Sequence, residues 1–147
     1  MREYLIEHLE QAIPVLKQFL GDDEPVCAII LGSGLNGFAD QLERKRFLRY
    51  EDVPHMRVST AAYHKGRFVL GTVPDTRVKV LCMQGRLHGY EGFTAQEVAC
   101  PVWVMHGAGI DTIVTTNAAG AINPQLRVGD FCLMSDHINL TGRNPVA

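Results

Sequence analysis

The chain has 147 residues and a formal net charge of −2, with 14 Lys and Arg against 16 Asp and Glu. This near-neutral balance argues against a nucleic-acid partner, because nucleic-acid-binding surfaces usually carry a basic excess. No run reaches the roughly 18 to 20 apolar residues of a membrane span, and the N-terminus lacks the apolar core of a signal peptide. We therefore expect one cytoplasmic domain over residues 1–147 that binds a small molecule and no membrane.

The spacing of apolar residues predicts both helices and strands. Intervals of three and four residues predict a helix over 3–20, ended by Gly21. The run TAQE at 94–97 is a capping box that opens a helix closing at 107–109. The basic cluster at 44–46 follows acidic residues and is interpreted as a solvated helix face. Short apolar runs predict strands at 26–31, 68–73, 78–83, 112–116 and 131–135, of which the second and third form a hairpin.

This order of elements, with Gly-rich loops after strands, indicates an α/β fold with one central sheet. Four cysteines lie in apolar runs without the spacing of a metal site and are interpreted as reduced and buried: Cys27, Cys82, Cys100 and Cys132. Three histidines lack polar company and are given no function: His8, His55 and His106.

The first candidate site is the loop Gly32-Ser33-Gly34, directly after a predicted strand. Its glycines permit close approach to a ligand, Ser33 offers a hydroxyl, and a helix beginning near Gly37 would point free N–H groups at an anion. The loop lacks the Lys-Ser/Thr pair of a Walker A loop and the third glycine of a dinucleotide fingerprint. A structural turn and an anion site therefore explain this run equally well.

The second candidate is the run MQGRLHGYEG at 83–92. If the strand continues through it, Arg86, His88 and Tyr90 alternate onto one face. Arg binds phosphate oxygens through paired N–H donors, and His donates or accepts there. The alternative is an exposed strand in which Arg86 pairs with Glu91. The three glycines of the run favour a loop that approaches a ligand closely.

The third candidate is the run at 115–123, where Ala118 and its small neighbours leave backbone N–H groups open to a ligand. A plain strand-to-loop transition explains this run as well. His64 is a candidate anion ligand in the loop before the hairpin. Asp136 and His137 are interpreted as a structural pair rather than a catalytic dyad.

Five runs of the sequence are, in order, GSGL at 32–35, STAAYHKG at 59–66, MQGRLHGYEG at 83–92, TNAAGAINP at 116–124 and GDFCLMSDHINLTGRNP at 129–145. Together they resemble the trimeric class of purine nucleoside phosphorylases, from about Val26 onward. The resemblance implies an α/β fold with a mixed, partly barrel-like central sheet flanked by helices. It also implies a homotrimer or hexamer.

The resemblance implies reversible phosphorolysis of a purine (deoxy)ribonucleoside to the free base and (deoxy)ribose 1-phosphate. Inorganic phosphate is then a co-substrate, and no metal or organic cofactor is implied. Carried over by position, the residues that bind phosphate are Ser33, His64, Arg86, His88 and the N–H of Ala118. Tyr90 matches the residue that contacts ribose, and His88 and Glu91 are assigned to catalysis. A phosphate below C1′ would stabilise the positive charge that develops on the ribose and supply the nucleophile.

The chain departs from the family pattern at two kinds of position. Ala62-Tyr63 stands where a Pro-Gly pair usually precedes His64, and Asn36 stands where a glycine is common. Family members also continue beyond residue 146 and carry their purine-binding residues there. We therefore expect the N-terminal, C-terminally incomplete portion of a nucleoside phosphorylase domain, with the phosphate part of the site. The alternatives are a non-catalytic fragment acting as an anion-binding or assembly module, and a methylthioadenosine phosphorylase.

Overall fold

Helices and strands follow one another along the chain much as the sequence predicts. A computed structural model describes residues 2–59 and 65–146, with side chains from Ile6 onward within those ranges. The elements are α1 (Arg2–Leu20), β1 (Cys27–Ile30), α2 (Asn36–Gln41), β2 (Glu43–Arg49), β3 (Arg67–Thr72), β4 (Lys79–Gln84), α3 (Ala95–Gly107) and β5 (Ile113–Thr115). Two short 3-10 turns, Tyr50–Asp52 and Gly89–Glu91, precede β3 and α3 respectively.

The five strands form one mixed sheet in the order β2-β3-β4-β1-β5. β1 runs parallel to β4 on one side and to β5 on the other, whereas the β2–β3 and β3–β4 pairs are antiparallel. The predicted hairpin is confirmed, with Phe68 opposite Met83 and Leu70 opposite Leu81. The mixed α/β fold is confirmed as well. Its topology brings the carboxyl ends of β1, β4 and β5 to one edge of the sheet, which is where ligands commonly bind in α/β folds.

Apolar side chains pack on both faces of the sheet, because successive residues of a strand point to opposite sides. The first core joins the sheet to α1 and α3, and its buried residues include Leu16, Phe68, Leu81, Met83 and Met105. The second core joins the sheet to α2 and includes Ala39, Leu42, Val69, Val80 and Cys82. The central strands are therefore held firmly from both sides, which fixes the positions of their ends.

The start of α3 is fixed by the predicted capping box. The Thr94 hydroxyl accepts the backbone N–H of Glu97 at 3.2 Å, and the Glu97 carboxylate accepts the Thr94 N–H at 2.9 Å. Arg57 Nε also donates to this carboxylate, at 2.9 Å. The pKa of Glu97 is lowered, chiefly by the hydrogen bond from the Thr94 backbone, because that bond stabilises the charged form.

Two predicted elements are wrong. Residues 44–46 lie in β2, at the edge of the sheet, rather than on a helix; Arg46 pairs with Leu70 of β3, and residues 44 and 45 fall in a bulge of the strand. The charges that suggested a helix face are typical of exposed edge strands, where they discourage pairing with other chains. Residues 131–135 form no strand, and Phe131 and Leu133 are 96% and 98% exposed. An apolar run predicts burial, but a strand also needs a neighbour to pair with.

The cysteines only partly match the prediction. Cys82 and Cys100 are buried and Cys27 is half-buried, but Cys132 is exposed, so the prediction of burial is wrong there. Burial raises the pKa of Cys82 to about 12, which keeps its thiol protonated and unreactive.

The three histidines without an assigned function do have close neighbours. The rings of His8 and His55 stack with their centroids 3.7 Å apart, and His55 Nε2 lies 2.9 Å from the Gln11 side-chain oxygen. His106 Nδ1 lies 3.2 Å from an Asp111 carboxylate oxygen. The expectation that these histidines lack polar company is therefore wrong. In the part of the chain that the structure describes, no helix is long and apolar enough to cross a membrane.

Candidate functional site

The ends of β1 and β5 are joined through the side chain of Thr116. Its hydroxyl accepts the Gly32 N–H at 2.8 Å and donates to the Ile30 carbonyl at 2.9 Å. A Cβ at position 32 would overlap the Thr116 carbonyl and lie 2.9 Å from Asn117 Cα, so the close approach requires glycine. The loops that begin at Gly32 and Thr116 therefore start side by side at the sheet edge.

Arg86 reaches this junction from the end of β4. The strand ends at Gln84 and does not continue through Tyr90, so strand alternation is not what brings Arg86, His88 and Tyr90 together. Instead, Arg86 Nη1 donates to the Thr116 carbonyl at 2.8 Å, and Arg86 Nε lies 3.5 Å from His88 Nε2. A permanent positive charge therefore lies where the three parallel strands end.

The ring of His88 is oriented by the carboxylate of Glu91, which in turn accepts hydrogen bonds from Ser59. Its Nδ1 lies 2.9 Å from Glu91 Oε1, which also accepts the His88 backbone N–H at 3.0 Å. The Ser59 hydroxyl donates to Oε1 and Oε2 of Glu91 at 3.0 and 2.8 Å. An ionised carboxylate only accepts hydrogen bonds, so this geometry assigns the proton of the neutral imidazole to Nδ1. Nε2 is then an acceptor on the side of Arg86.

Tyr90 provides an exposed aromatic surface beside His88. The two rings stack with centroids 4.7 Å apart and planes inclined by 20°, and Tyr90 is 79% exposed. A cavity of about 720 Å³ lies next to them, lined by Arg86, Tyr90 and apolar side chains of α3 such as Val98 and Val102. A cavity with a cation, a phenol and an apolar wall suits an organic anion or a polar molecule with one apolar face.

Gln84 supports the site from within the protein. Its side chain is fully buried, accepts Arg67 Nε at 2.8 Å, and donates to the Asn36 carbonyl and to Asp40 Oδ1, both at 3.0 Å. The pKa of Asp40 is lowered, chiefly by the hydrogen bond from Gln84. These contacts fix the end of β4 relative to α2, which directly follows the loop at 32–34.

The structure brings together four of the predicted site residues, Arg86, His88, Tyr90 and Glu91. Ser33 and Ala118 are exposed, on the two loops that start at the Gly32–Thr116 contact. His64 lies outside the described residues. The assignment of all these residues to phosphate, ribose or catalysis stays a prediction.

Sequence reasoning missed residues that support the site rather than line it. Nothing in the local sequence around Ser59 predicts its contact with Glu91, because the two residues are distant in the chain. The position of Gln84 does indicate a special role, since a polar residue ends an otherwise apolar run of the strand. Asp136 accepts the His137 backbone N–H at 2.8 Å, and the interpretation of the two side chains as a structural pair stays a prediction. Among the described residues, no three His, Cys, Asp or Glu side chains group closely enough to hold a metal ion.

Known proteins are similar to this chain in sequence and in fold. The sequence pattern of the Phosphorylase superfamily matches residues 27–147. Purine nucleoside phosphorylase 1 from Bacillus subtilis is 44% identical over 140 residues, which cover 95% of this chain and 51% of that protein. Purine nucleoside phosphorylase from Anopheles gambiae is 49% identical over 125 residues, covering 83% of this chain and 35% of that protein.

Solved structures give the same result. Isoform 2 of purine nucleoside phosphorylase from Schistosoma mansoni, in complex with cytosine and ribose-1-phosphate, superimposes with a TM-score of 0.72 at 38% identity. The match covers 84% of this chain and 42% of that one. The fold and the matched pattern are those of the Phosphorylase superfamily. Within it, the chain belongs to the purine nucleoside phosphorylase family, and it spans about half the length of the relatives it matches.

Proposed function

We propose that this chain binds inorganic phosphate at the ends of β1, β4 and β5, as the phosphate part of a purine nucleoside phosphorylase active site. The observation that carries the proposal is the arrangement of Arg86 beside a histidine whose orientation is fixed by Glu91. Clustered donors at strand ends are a recurring solution for binding phosphate, because an anion needs both charge and N–H groups.

Each group has a distinct part in holding the anion. Arg86 supplies a permanent positive charge and planar donors. His88 Nε2 accepts a hydrogen bond from a protonated phosphate oxygen or, once the ring is charged, donates to an unprotonated one. The Ser33 hydroxyl, His64 and the Ala118 N–H complete the donor set. Glu91 orients His88 rather than touching phosphate, so we assign it a positioning role.

The proposed reaction is phosphorolysis of a purine nucleoside. The bond between C1′ and the purine nitrogen breaks with its electron pair leaving on the base, and a phosphate oxygen forms a new bond to C1′. Positive charge develops on the ribose as the first bond lengthens, and an adjacent bound phosphate stabilises that charge. We assign contact with the ribose to Tyr90, and its exposure beside His88 supports that assignment. We assign no residue of this chain to protonation of the leaving purine.

Phosphate titration of the chain tests the proposal directly. We expect Arg86→Ala to weaken binding by roughly 10- to 150-fold, since a hydrogen bond to a charged group contributes about 1.5 to 3 kcal/mol. The matched control is Arg77→Ala, which removes an exposed arginine from the turn between β3 and β4. Isothermal titration calorimetry measures both variants. Equal affinity for the wild type and Arg86→Ala would show that phosphate does not bind here.

A second candidate is an anion-binding module without turnover, since donors for an anion are assigned at the sheet edge whereas no residue is assigned to the leaving purine. Incubation with inosine, with and without phosphate, separates the two by chromatography of the released base. Phosphate-dependent release of hypoxanthine supports phosphorolysis, whereas phosphate binding without release supports the module. Release at equal rates without phosphate would contradict both. Methylthioadenosine in place of inosine tests the remaining alternative substrate.

A further inference from the structure

We infer that Arg143 is a positioning residue for the phosphate site, because it holds the turn Gly89–Glu91 in place. Its guanidinium Nη1 donates to the Gly89 carbonyl at 3.1 Å and to the Phe93 carbonyl at 3.4 Å. These two carbonyls flank the segment that contains Tyr90 and Glu91. One charged donor therefore fixes both ends of that segment. The inference rests on the proposed function.

The backbone at Gly89 is shaped to admit this guanidinium. A Cβ at position 89 would lie 2.5 Å from Arg143 Nη1, far inside contact distance. Gly89 is not among the residues with positive φ, so its backbone conformation does not itself require glycine. The space that a side chain would occupy is instead filled by Arg143.

Arg143 is in turn held by its own loop. The Thr141 hydroxyl accepts the Arg143 N–H at 3.2 Å, and the Asn139 side-chain nitrogen donates to the Arg143 carbonyl at 3.0 Å. Asn139 Oδ1 accepts both the N–H and the hydroxyl of Thr141, at 3.0 and 2.6 Å. These local bonds give the backbone at 139–143 a defined shape, and that lowers the entropy lost when the guanidinium docks.

The contact matters for phosphate because of what the held segment contains. Glu91 fixes the tautomer and orientation of His88, so a looser segment leaves His88 less well oriented. Arg143 thus acts on the anion through Glu91 and His88 rather than by touching it.

Amide hydrogen exchange of the ligand-free protein tests the clamp. The Glu91 and Gly92 amides donate to the His88 and Gly89 carbonyls within the turn. We expect Arg143→Ala to speed exchange of these two amides severalfold while the Gly109 amide, at the end of α3, keeps its rate. Arg127→Ala, which removes another exposed arginine from the irregular stretch that precedes Arg143, is the control and leaves all three rates unchanged. Unchanged exchange at Glu91 and Gly92 in Arg143→Ala would overturn the inference.

Phosphate affinity tests the consequence. We expect Arg143→Ala to weaken binding about three- to tenfold, the effect of roughly one net hydrogen bond, and Arg143→Lys to recover part of it. Gly89→Ala should weaken binding similarly in the wild type and have no further effect in Arg143→Ala, because the guanidinium it displaces is already gone. If the wild type binds no phosphate, the proposed function fails and this inference with it. If the wild type binds and Arg143→Ala binds equally well, the inference alone fails.

Discussion

Gly32 and Gly37 lie close in the chain but differ in what an added methyl group would meet. At Gly32 it would overlap the Thr116 carbonyl oxygen, and no side-chain rotation can relieve a clash with a backbone atom. At Gly37 nothing lies within 4 Å of the added methyl group. We expect Gly32→Ala to destabilise the protein by roughly 1 to 3 kcal/mol, as overpacking usually does. Gly37 is inside α2, where Ala is preferred, so Gly37→Ala is expected to be neutral or to stabilise by up to about 1 kcal/mol.

Urea unfolding of the two variants measures this difference. Gly32→Ala should also weaken phosphate binding, because the loop carrying Ser33 starts at this contact. Equal unfolding midpoints for the two variants would show that the loops at 32 and 116 do not approach as closely as described.

The stacked pair His8–His55 gives the fold a dependence on pH. The pKa of His8 is lowered, first by burial and then by the charge of His55, with Arg57 acting in the same direction and Glu7 opposing. The unfolded chain therefore binds more protons than the folded one as pH falls below 6.5, the ordinary pKa of His8. We expect stability to fall between about pH 7.5 and 5.5, and to fall less in His8→Gln.

Urea unfolding at the two pH values checks the sign. Carboxylates with lowered pKa, such as Asp40 and Glu97, lose their contribution only at more acidic pH, so they do not overlap this window. His137→Gln is the control, since it removes an exposed histidine that is not part of the stack and should preserve the wild-type fall. A wild type whose stability is the same at both pH values contradicts the prediction.

At the scale of elements, the start of α3 depends on one hydroxyl. Thr94→Ala removes the acceptor of the Glu97 N–H, and loss of such a cap costs about 0.5 to 2 kcal/mol. Thr112→Ala, at an exposed threonine before β5, is the matched control and should change little. Thermal unfolding followed by circular dichroism measures both. If Thr94→Ala unfolds at the wild-type temperature, the capping box contributes nothing to stability.

The sequence predicted well those elements whose burial is visible in their composition. β3 and β4 are short apolar runs that are mostly buried, β1 is a short apolar run that is partly buried between two neighbouring strands, and the sequence predicts all three. β2 was missed because an edge strand exposes charged side chains and shows little apolar pattern. Residues 131–135 have the composition of a strand but no partner strand, and pairing is a property that local sequence does not contain.

The same limit applies to the site. The residue types that suit an anion were visible in the sequence, and Arg86, His88 and Tyr90 do converge. Their convergence comes from an irregular turn rather than from strand alternation. The contacts of Ser59 with Glu91 and of Arg143 with Gly89 join residues far apart in the chain, so only the fold reveals them.

At the scale of the whole molecule, residues 117–146 leave many apolar side chains uncovered. The large ones that are more than half exposed are Ile122, Val128, Phe131, Leu133, Met134, Ile138, Leu140 and Val146. So much exposed apolar surface favours association, because burying it releases water. We expect the chain to self-associate at micromolar concentration, and Phe131→Ser with Leu133→Ser to weaken that association about tenfold or more.

Sedimentation velocity over a concentration series measures the association. The control variant replaces two exposed valines outside this segment, Val26 and Val78, by serine and should leave the association unchanged. A wild type that is monomeric throughout the series contradicts the prediction.

The position of β1 in the middle of the sheet has a consequence for how the chain folds. β1 lies near the start of the chain, but its neighbours in the sheet are β4 and β5. Ala28 therefore pairs with Leu81 and Ile113, which are both distant in the sequence. Such distant parallel pairings close long loops and are slow to form. The loops at Gly32 and Thr116 meet only when the last pairing is complete. During refolding, the ability to bind phosphate should therefore return in the slowest phase, after most of the helical circular dichroism signal. Phosphate binding would then report the last step of folding.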